Sequence, residues 1–326
     1  MIPFSRIVVL AALSIGFAGV LHAAEFDNVA RTKLIEEYAQ KLQDSYVFPE
    51  KGKLLADSLR SHLKHGDYAG LEEKALAEQV QKDLDAIVPD QHNGLVYVEF
   101  DALEEPPPPP PKPAVPVARP GPDNFGLAKF EMKGKVAYLQ VSRFGPVDSF
   151  ANEALAKVMT QAAGSQAMIV DLRDGQGGMP PMVTLLSSYF FDDRPVHLLD
   201  ELDRSGKVTD SFITTTKLAG PRYGSQRPLY VLVDEETASA AEAFAYGLQQ
   251  QKRAVIVGHK TSGGAHKQFG EPVSHHLIAF VAIGRSVDPV TQANWERTGV
   301  QPDVEVPAAQ ALDVALAQIA KAPGAR

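Results

Sequence analysis

Three short runs, "AMIVDL" from Ala167, "PLYVLV" from Pro228 and "AVIVGH" from Ala254, are apolar at nearly every position. A strand that is apolar on both sides has to be covered on both sides, and a sheet flanked by helices does that. Stretches with helical spacing lie between and around these runs: "SFANEALAKVMTQAA", "PMVTLLSSYFF" and "SAAEAFAYGLQQQ". "GKVAYLQVSRF" and "HLIAFVAIGRSVD" read as further strands. The alternation predicts a layered α/β (α+β) core with crossover connections. The chain shows no clear internal repeat.

The segment before this core has a different period. "VARTKLIEEYAQKLQDSYVF" sets Leu34, Ile35, Tyr38, Leu42 and Tyr46 on one stripe, with Pro49 beyond its end. Leu54, Leu55, Leu59 and Leu63 repeat the pattern, as do Leu76, Val80, Leu84 and Ile87. Three amphipathic helices therefore form an N-terminal helical subdomain over residues 25–90. His62 and His65 fall at its solvated margin, and the Ser-x-x-Lys match at Ser61 lies inside a helix, where it carries no chemistry. A strand and a proline-rich tract, "EEPPPPPPKPAVPVARPGPDN", occupy 91–122 as an extended linker. The core domain then runs over 123–326.

The first 24 residues read as a signal peptide: Arg6, an apolar stretch from Ile7 to Leu21, then "HAAE". That stretch is short for a membrane span, and no later segment is long or apolar enough for one. The expected location is periplasmic or secreted, with no stable membrane span once the signal is removed. A formal net charge of −8 with no basic cluster argues against nucleic acid as a partner. The absence of cysteine excludes disulfides, thiolate metal sites and a cysteine nucleophile.

Ser239 follows a buried strand and opens a helix. A hydroxyl there stands at the positive end of the helix dipole, near backbone N–H groups without partners in the helix. That placement suits attack on a carbonyl. Ser239-Ala240-Ala241-Glu242 also fits a capping box, which needs no catalysis, and on this stretch alone the cap is the simpler assignment. In "VDLRDGQGGMPPM", Gly175, Gly177 and Gly178 lie between a buried strand and a helix, where backbone can approach a ligand closely. His259, His266, His275 and His276 match no standard ligand spacing, and strand alternation would send His275 and His276 to opposite faces. No metal and no cofactor is expected.

Four segments, "MIVDLRDGQGG", "ETASAAEAFAYGLQ", "AVIVGHKTSGGA" and "NWERTGVQPDVEVP", occur in an order that resembles the tail-specific, or C-terminal processing, serine peptidases. The likeness is greatest to the branch resembling interphotoreceptor retinoid-binding protein, and it spans roughly Glu25 to Val306. It implies a ClpP/crotonase-like β-α spiral core, Ser239 as nucleophile, and oxyanion donors at the N–H groups of Ala240 and of Gly177 or Gly178. Much of that family uses a Ser-Lys dyad. Gly264 stands where the lysine would be, and Lys260 and Lys267 beside it read as surface residues. The arrangement of the related tricorn core protease implies His92, in "DQHNG", as base and Glu296 as its support. Gln91 replaces the hydroxyl residue that pattern places before the histidine, so it can orient a group but cannot act as acid or base. Between His92 and the glycine loop too few residues remain for a PDZ domain, because the proline-rich tract fills much of the interval. The resemblance thus implies an exported serine endopeptidase acting on a peptide or protein through an acyl-enzyme. A non-proteolytic carrier of apolar ligands, or a peptide-binding scaffold, is the alternative on the same fold.

Overall fold

The computed structural model describes residues 26–104 and 124–321. The signal-like segment and nearly all of the proline-rich tract lie outside those residues.

Two sheets organise the molecule. The first has six strands in the order β11-β8-β7-β4-β3-β2. Its strands are β2 (Leu127–Lys133), β3 (Val136–Val141), β4 (Ala167–Asp171), β7 (Leu229–Val233), β8 (Val255–Gly258) and β11 (Val304–Glu305). β2 and β3 are antiparallel, and every other neighbouring pair is parallel. All five residues of β4 and of β7 are buried, as expected of central strands covered on both faces. α4 (Ser149–Ala162), α5 (Pro180–Ser188) and α6 (Ala240–Gln250) supply the crossovers. The α6 side holds the main core, around Phe144, Phe190 and Phe244. α7 (Ala311–Lys321) covers the other side against Tyr138, Ile169 and Leu232.

The second sheet is antiparallel: β1 (Gly94–Tyr97), β10 (Leu277–Val287), β5 (His197–Asp203) and β6 (Val208–Ile213), with β9 (His266–Pro272) also paired to β10. β5, β6 and β9 have no counterpart in the sequence reading. β5 carries charge inward, with Asp200 and Glu201 both buried, so it lacks the apolar run of a core strand.

The N-terminal part is α1 (Asn28–Ser45), α2 (Pro49–His65) and α3 (Glu73–Asp85). The predicted stripes of α1 and α3 are buried, except for Ile87, which lies beyond α3 and is exposed. On α2, Leu55 and Leu59 are buried, but Leu54 is 56% exposed and does not belong to the packed face. The three helices share their core with Leu95 of β1 and with Leu277, Ala279, Val281 and Ala282 of β10. Tyr38 Oη donates to the carbonyl of Phe280 at 2.9 Å, and Asn93 Oδ1 accepts from Ala282 N–H at 2.8 Å. Residues 90–93 are thereby carried on one packed body with β10, which places His92 at the mouth of the other sheet. Among the described residues there is no PDZ domain, and no helix is long and apolar enough to cross a membrane.

Candidate active site

β4 and β7 are adjacent and parallel, so the loops at their carboxyl ends meet. Those loops are the glycine segment and the segment ending in Ser239, and open α/β sheets bind ligands at such ends. Asp234 fixes the second loop: its Oδ1 accepts from Thr237 N–H at 3.0 Å, and its carboxylate also accepts from Asp174 N–H. Thr237 Oγ1 donates to Leu172 O at 2.9 Å, and Ala238 N–H to Gly175 O at 3.0 Å.

Ser239 sits immediately before α6 with φ 53° and ψ −117°. An ordinary N-cap residue is extended. A non-glycine residue held in this region costs roughly 1–3 kcal/mol and persists only where its surroundings impose it. The Ser239–Glu242 pair has the form of a capping box, and Ser239 N–H donates to Glu242 Oε2 at 2.8 Å. The cap reading and the nucleophile reading therefore share this residue, and the strained backbone goes beyond what a cap requires. Gly177 is pressed into the same corner. A Cβ there would come 2.8 Å from Ser239 Cβ and 2.9 Å from Ala238 O, at φ +84°. Only a glycine lets that loop approach so closely. Within the described residues the N–H groups of Ala240, Gly177 and Gly178 have no hydrogen-bond partner.

Glu242 does more than the capping box suggests. It is fully buried, and besides Ser239 N–H it accepts from Gly263 N–H at 2.7 Å, Gly264 N–H at 2.8 Å and the Thr261 hydroxyl. Burial pushes its carboxyl upward, and these four donors work against that shift. One side chain thus ties the serine corner to the 261–264 loop. Glu242→Ala would strand several buried donors at about 1–3 kcal/mol each. A loss of roughly 3 kcal/mol or more is expected, read as a lowered Tm in thermal denaturation.

Gly264 has no room for a side chain. A Cβ there would lie 2.6 Å from His92 Cε1 and 2.5 Å from Gln91 Nε2. The space a side chain at 264 would enter is already filled by His92 and Gln91. Gly264→Lys should therefore displace His92 rather than restore a dyad. A fall in kcat of roughly 100-fold is expected, in line with the effect of misplacing a reacting group by about 1 Å, and is measurable by steady-state hydrolysis.

His92 is 5% exposed, and the carboxylate beside it is that of Asp90. Asp90 Oδ1 accepts from His92 N–H at 2.9 Å and lies 3.6 Å from His92 Nδ1. Asp90 Oδ2 takes His266 Nδ1 at 2.7 Å and the Tyr46 hydroxyl at 2.9 Å. Burial alone would raise the Asp90 carboxyl, but its hydrogen bonds with His266 and His92 hold it well below the usual carboxylate range. Glu296 lies one step further out. Its Oε2 accepts from Ala265 N–H at 2.8 Å and stands 3.7 Å from His266 Nδ1. Burial pushes the Glu296 carboxyl upward, with His266 opposing the shift. Gln91 is exposed, and its Oε1 accepts from Ser262 Oγ at 2.9 Å.

His92, Gln91, Ser239, Ala240, Gly178 and His266 line one cavity of about 560 Å³. Asp90 was not singled out in the sequence, and His266 was weighed there only with His259, His275 and His276 as a metal set and set aside. The available signal was Asp90 two residues before His92, where its side chain caps the turn that presents the ring. Donor atoms of Asp90, His92 and His266 lie within 4.8 Å of one another, a spacing that could hold a divalent ion. His275 and His276 sit in the turn before β10 rather than on a strand, so the alternation expected for them does not apply; they contact Asp101 and the Phe100 carbonyl instead.

The family model for peptidase family S41 matches residues 135–306. The model for the N-terminal domain of peptidase S41 in eukaryotic IRBP matches residues 28–125. A carboxyl-terminal-processing protease of Synechocystis sp. is 30% identical over 168 residues, which are 52% of this chain and 37% of that protein. The tail-specific protease of Haemophilus influenzae is 32% identical over 109 residues, 33% of this chain and 14% of that protein. The chain therefore spans less than half the length of these relatives. Among solved structures, the photosystem II D1 C-terminal processing protease superposes with a TM-score of 0.53 at 16% identity, covering 85% of this chain and 93% of its own. The tricorn protease gives 0.52 at 10% identity, covering 88% and 35%. At such identities the likeness is one of fold.

Proposed function

The chain belongs to peptidase family S41, and we propose that it is an exported serine endopeptidase that uses a histidine in place of the family's dyad lysine. Ser239 Oγ attacks a peptide carbonyl to give a tetrahedral intermediate and then an acyl-enzyme. His92 takes the hydroxyl proton and returns it to the leaving amine; water then releases the acyl group by the same route. The N–H groups of Ala240 and of Gly177 or Gly178 receive the oxyanion. Asp90 anchors the His92 backbone and stands 3.6 Å from Nδ1, so a small turn of the ring lets Nδ1 donate to it and leaves Nε2 for the proton transfer. Glu296 supports His92 at one remove, through His266 and the field both share with Asp90. Gln91 positions the 262–264 loop.

The observation that carries this reading is the volume at Gly264. The side chain that would supply the usual base has no space, and a buried imidazole occupies that space. The test is hydrolysis of an unstructured protein such as casein by the chain from Phe26 onward, beside its Ser239→Ala variant. Cleavage by the first and not the second supports the peptidase. No cleavage by either, together with an apolar ligand retained through purification, supports a carrier instead.

A further inference from the structure

The cavity beside Ser239 contains two buried polar atoms that hydrolysis does not use. Glu201, on β5, is 4% exposed. Its Oε1 accepts from the Ser286 hydroxyl, while its Oε2 has no hydrogen-bond partner. His266, on β9, is 7% exposed, and its Nε2 likewise has no partner. Both residues line the cavity that holds Ser239.

His266 Nδ1 faces the Asp90 carboxylate at 2.7 Å, which accepts and cannot donate, so the ring proton is on Nδ1. The free oxygen of the Glu201 carboxylate is an acceptor. A buried acceptor without a partner is costly, and such an atom on a cavity-lining residue calls for a donor from the ligand. Burial raises the Glu201 carboxyl, and the more distant charges of Lys267 and His266 only partly offset that shift, while Asp210 adds to it. Lys267, at the cavity edge, is exposed and makes no ion pair with Glu201 among the described residues. Phe212, Met179 and Ala243 also line the cavity. A cavity with apolar lining and an unanswered buried carboxylate fits a side chain that has a long methylene stem and a cationic tip.

We propose that Glu201 forms a subsite for a lysine or arginine side chain of the substrate next to the scissile bond. This rests on the peptidase reading for its position, but the recognition itself needs no turnover.

Two measurements test it. The first compares hydrolysis of matched peptides carrying lysine, norleucine or glutamate at each position flanking the scissile bond. The lysine peptide should exceed the norleucine peptide in kcat/KM by roughly 10- to 100-fold, the range of a hydrogen bond to a charged group. In Glu201→Gln that ratio should fall at least tenfold. The second is calorimetric binding of the same peptides to Ser239→Ala, which is independent of catalysis. Tenfold or tighter binding of the lysine peptide is expected. If wild type cleaves nothing while Ser239→Ala still prefers lysine, the peptidase reading fails and the subsite stands. Equal affinity for lysine and norleucine peptides, or an unchanged kcat/KM ratio in a folded Glu201→Gln, overturns the subsite.

Discussion

Ser239→Ala is expected to lower kcat on peptide substrates by roughly 10,000-fold or more, the scale seen when a serine nucleophile is removed from a triad. The expectation rests on geometry rather than on the residue type. The serine is held at φ 53° by three restraints: the Glu242 carboxylate at its N–H, the Asp234-anchored turn before it, and Gly177 packed against its Cβ. A serine that only capped α6 would not need that backbone, and its removal would cost about 1 kcal/mol of stability. Alanine at 239 should therefore abolish turnover while shifting Tm by only a few degrees. The reverse pattern, a large loss of stability with activity retained, would return Ser239 to a capping role.

The second large effect concerns the base. His92→Ala should reduce kcat by roughly 100- to 10,000-fold, the range for general acid–base catalysis by one side chain. The carboxylates are expected to separate in this assay. Asp90 touches the His92 backbone and lies 3.6 Å from its Nδ1, whereas Glu296 pairs with His266. Asp90→Asn should lose at least tenfold more kcat than Glu296→Gln, because the first variant removes the charge beside the ring and the second acts through His266. Steady-state rates with thermal denaturation as a folding control decide it. If Glu296→Gln is the more damaging, Glu296 is the direct support, and the ring turns toward it during catalysis.

Much of the six-stranded sheet was legible because β4, β7 and β8 are apolar on both faces and no other environment accepts such runs. The antiparallel sheet was not. β5 buries Asp200 and Glu201, and β9 exposes most of its residues, so neither has the alternation or the apolar run by which strands are read. On α2 the period was right but one residue too wide, since Leu54 faces outward while Leu55 and Leu59 pack. The strand-to-helix corner at Ser239 and the glycine loop were legible from punctuation, and family likeness pointed to His92, which lines the same cavity. What the sequence concealed was connectivity. Glu242 reads locally as half of a capping box, yet it accepts hydrogen bonds from Thr261, Gly263 and Gly264 as well. Asp90 reads as a turn residue, yet it joins His92, His266 and Tyr46, which are brought together only when β1 pairs with β10 and β10 with β9. Gly264 stood out as the position where the resembled family places a lysine; that the His92 ring fills the space beside it is seen only in three dimensions.

The central claim is that Ser239 is a nucleophile activated by His92. Labelling with a fluorophosphonate, followed by peptide mass mapping, tests it without any knowledge of the natural substrate. The expected result is a single adduct on Ser239, absent in Ser239→Ala and formed at least 100-fold more slowly in His92→Ala. An unlabelled wild-type protein, an adduct elsewhere that persists in Ser239→Ala, or equal labelling rates with and without His92 would contradict it.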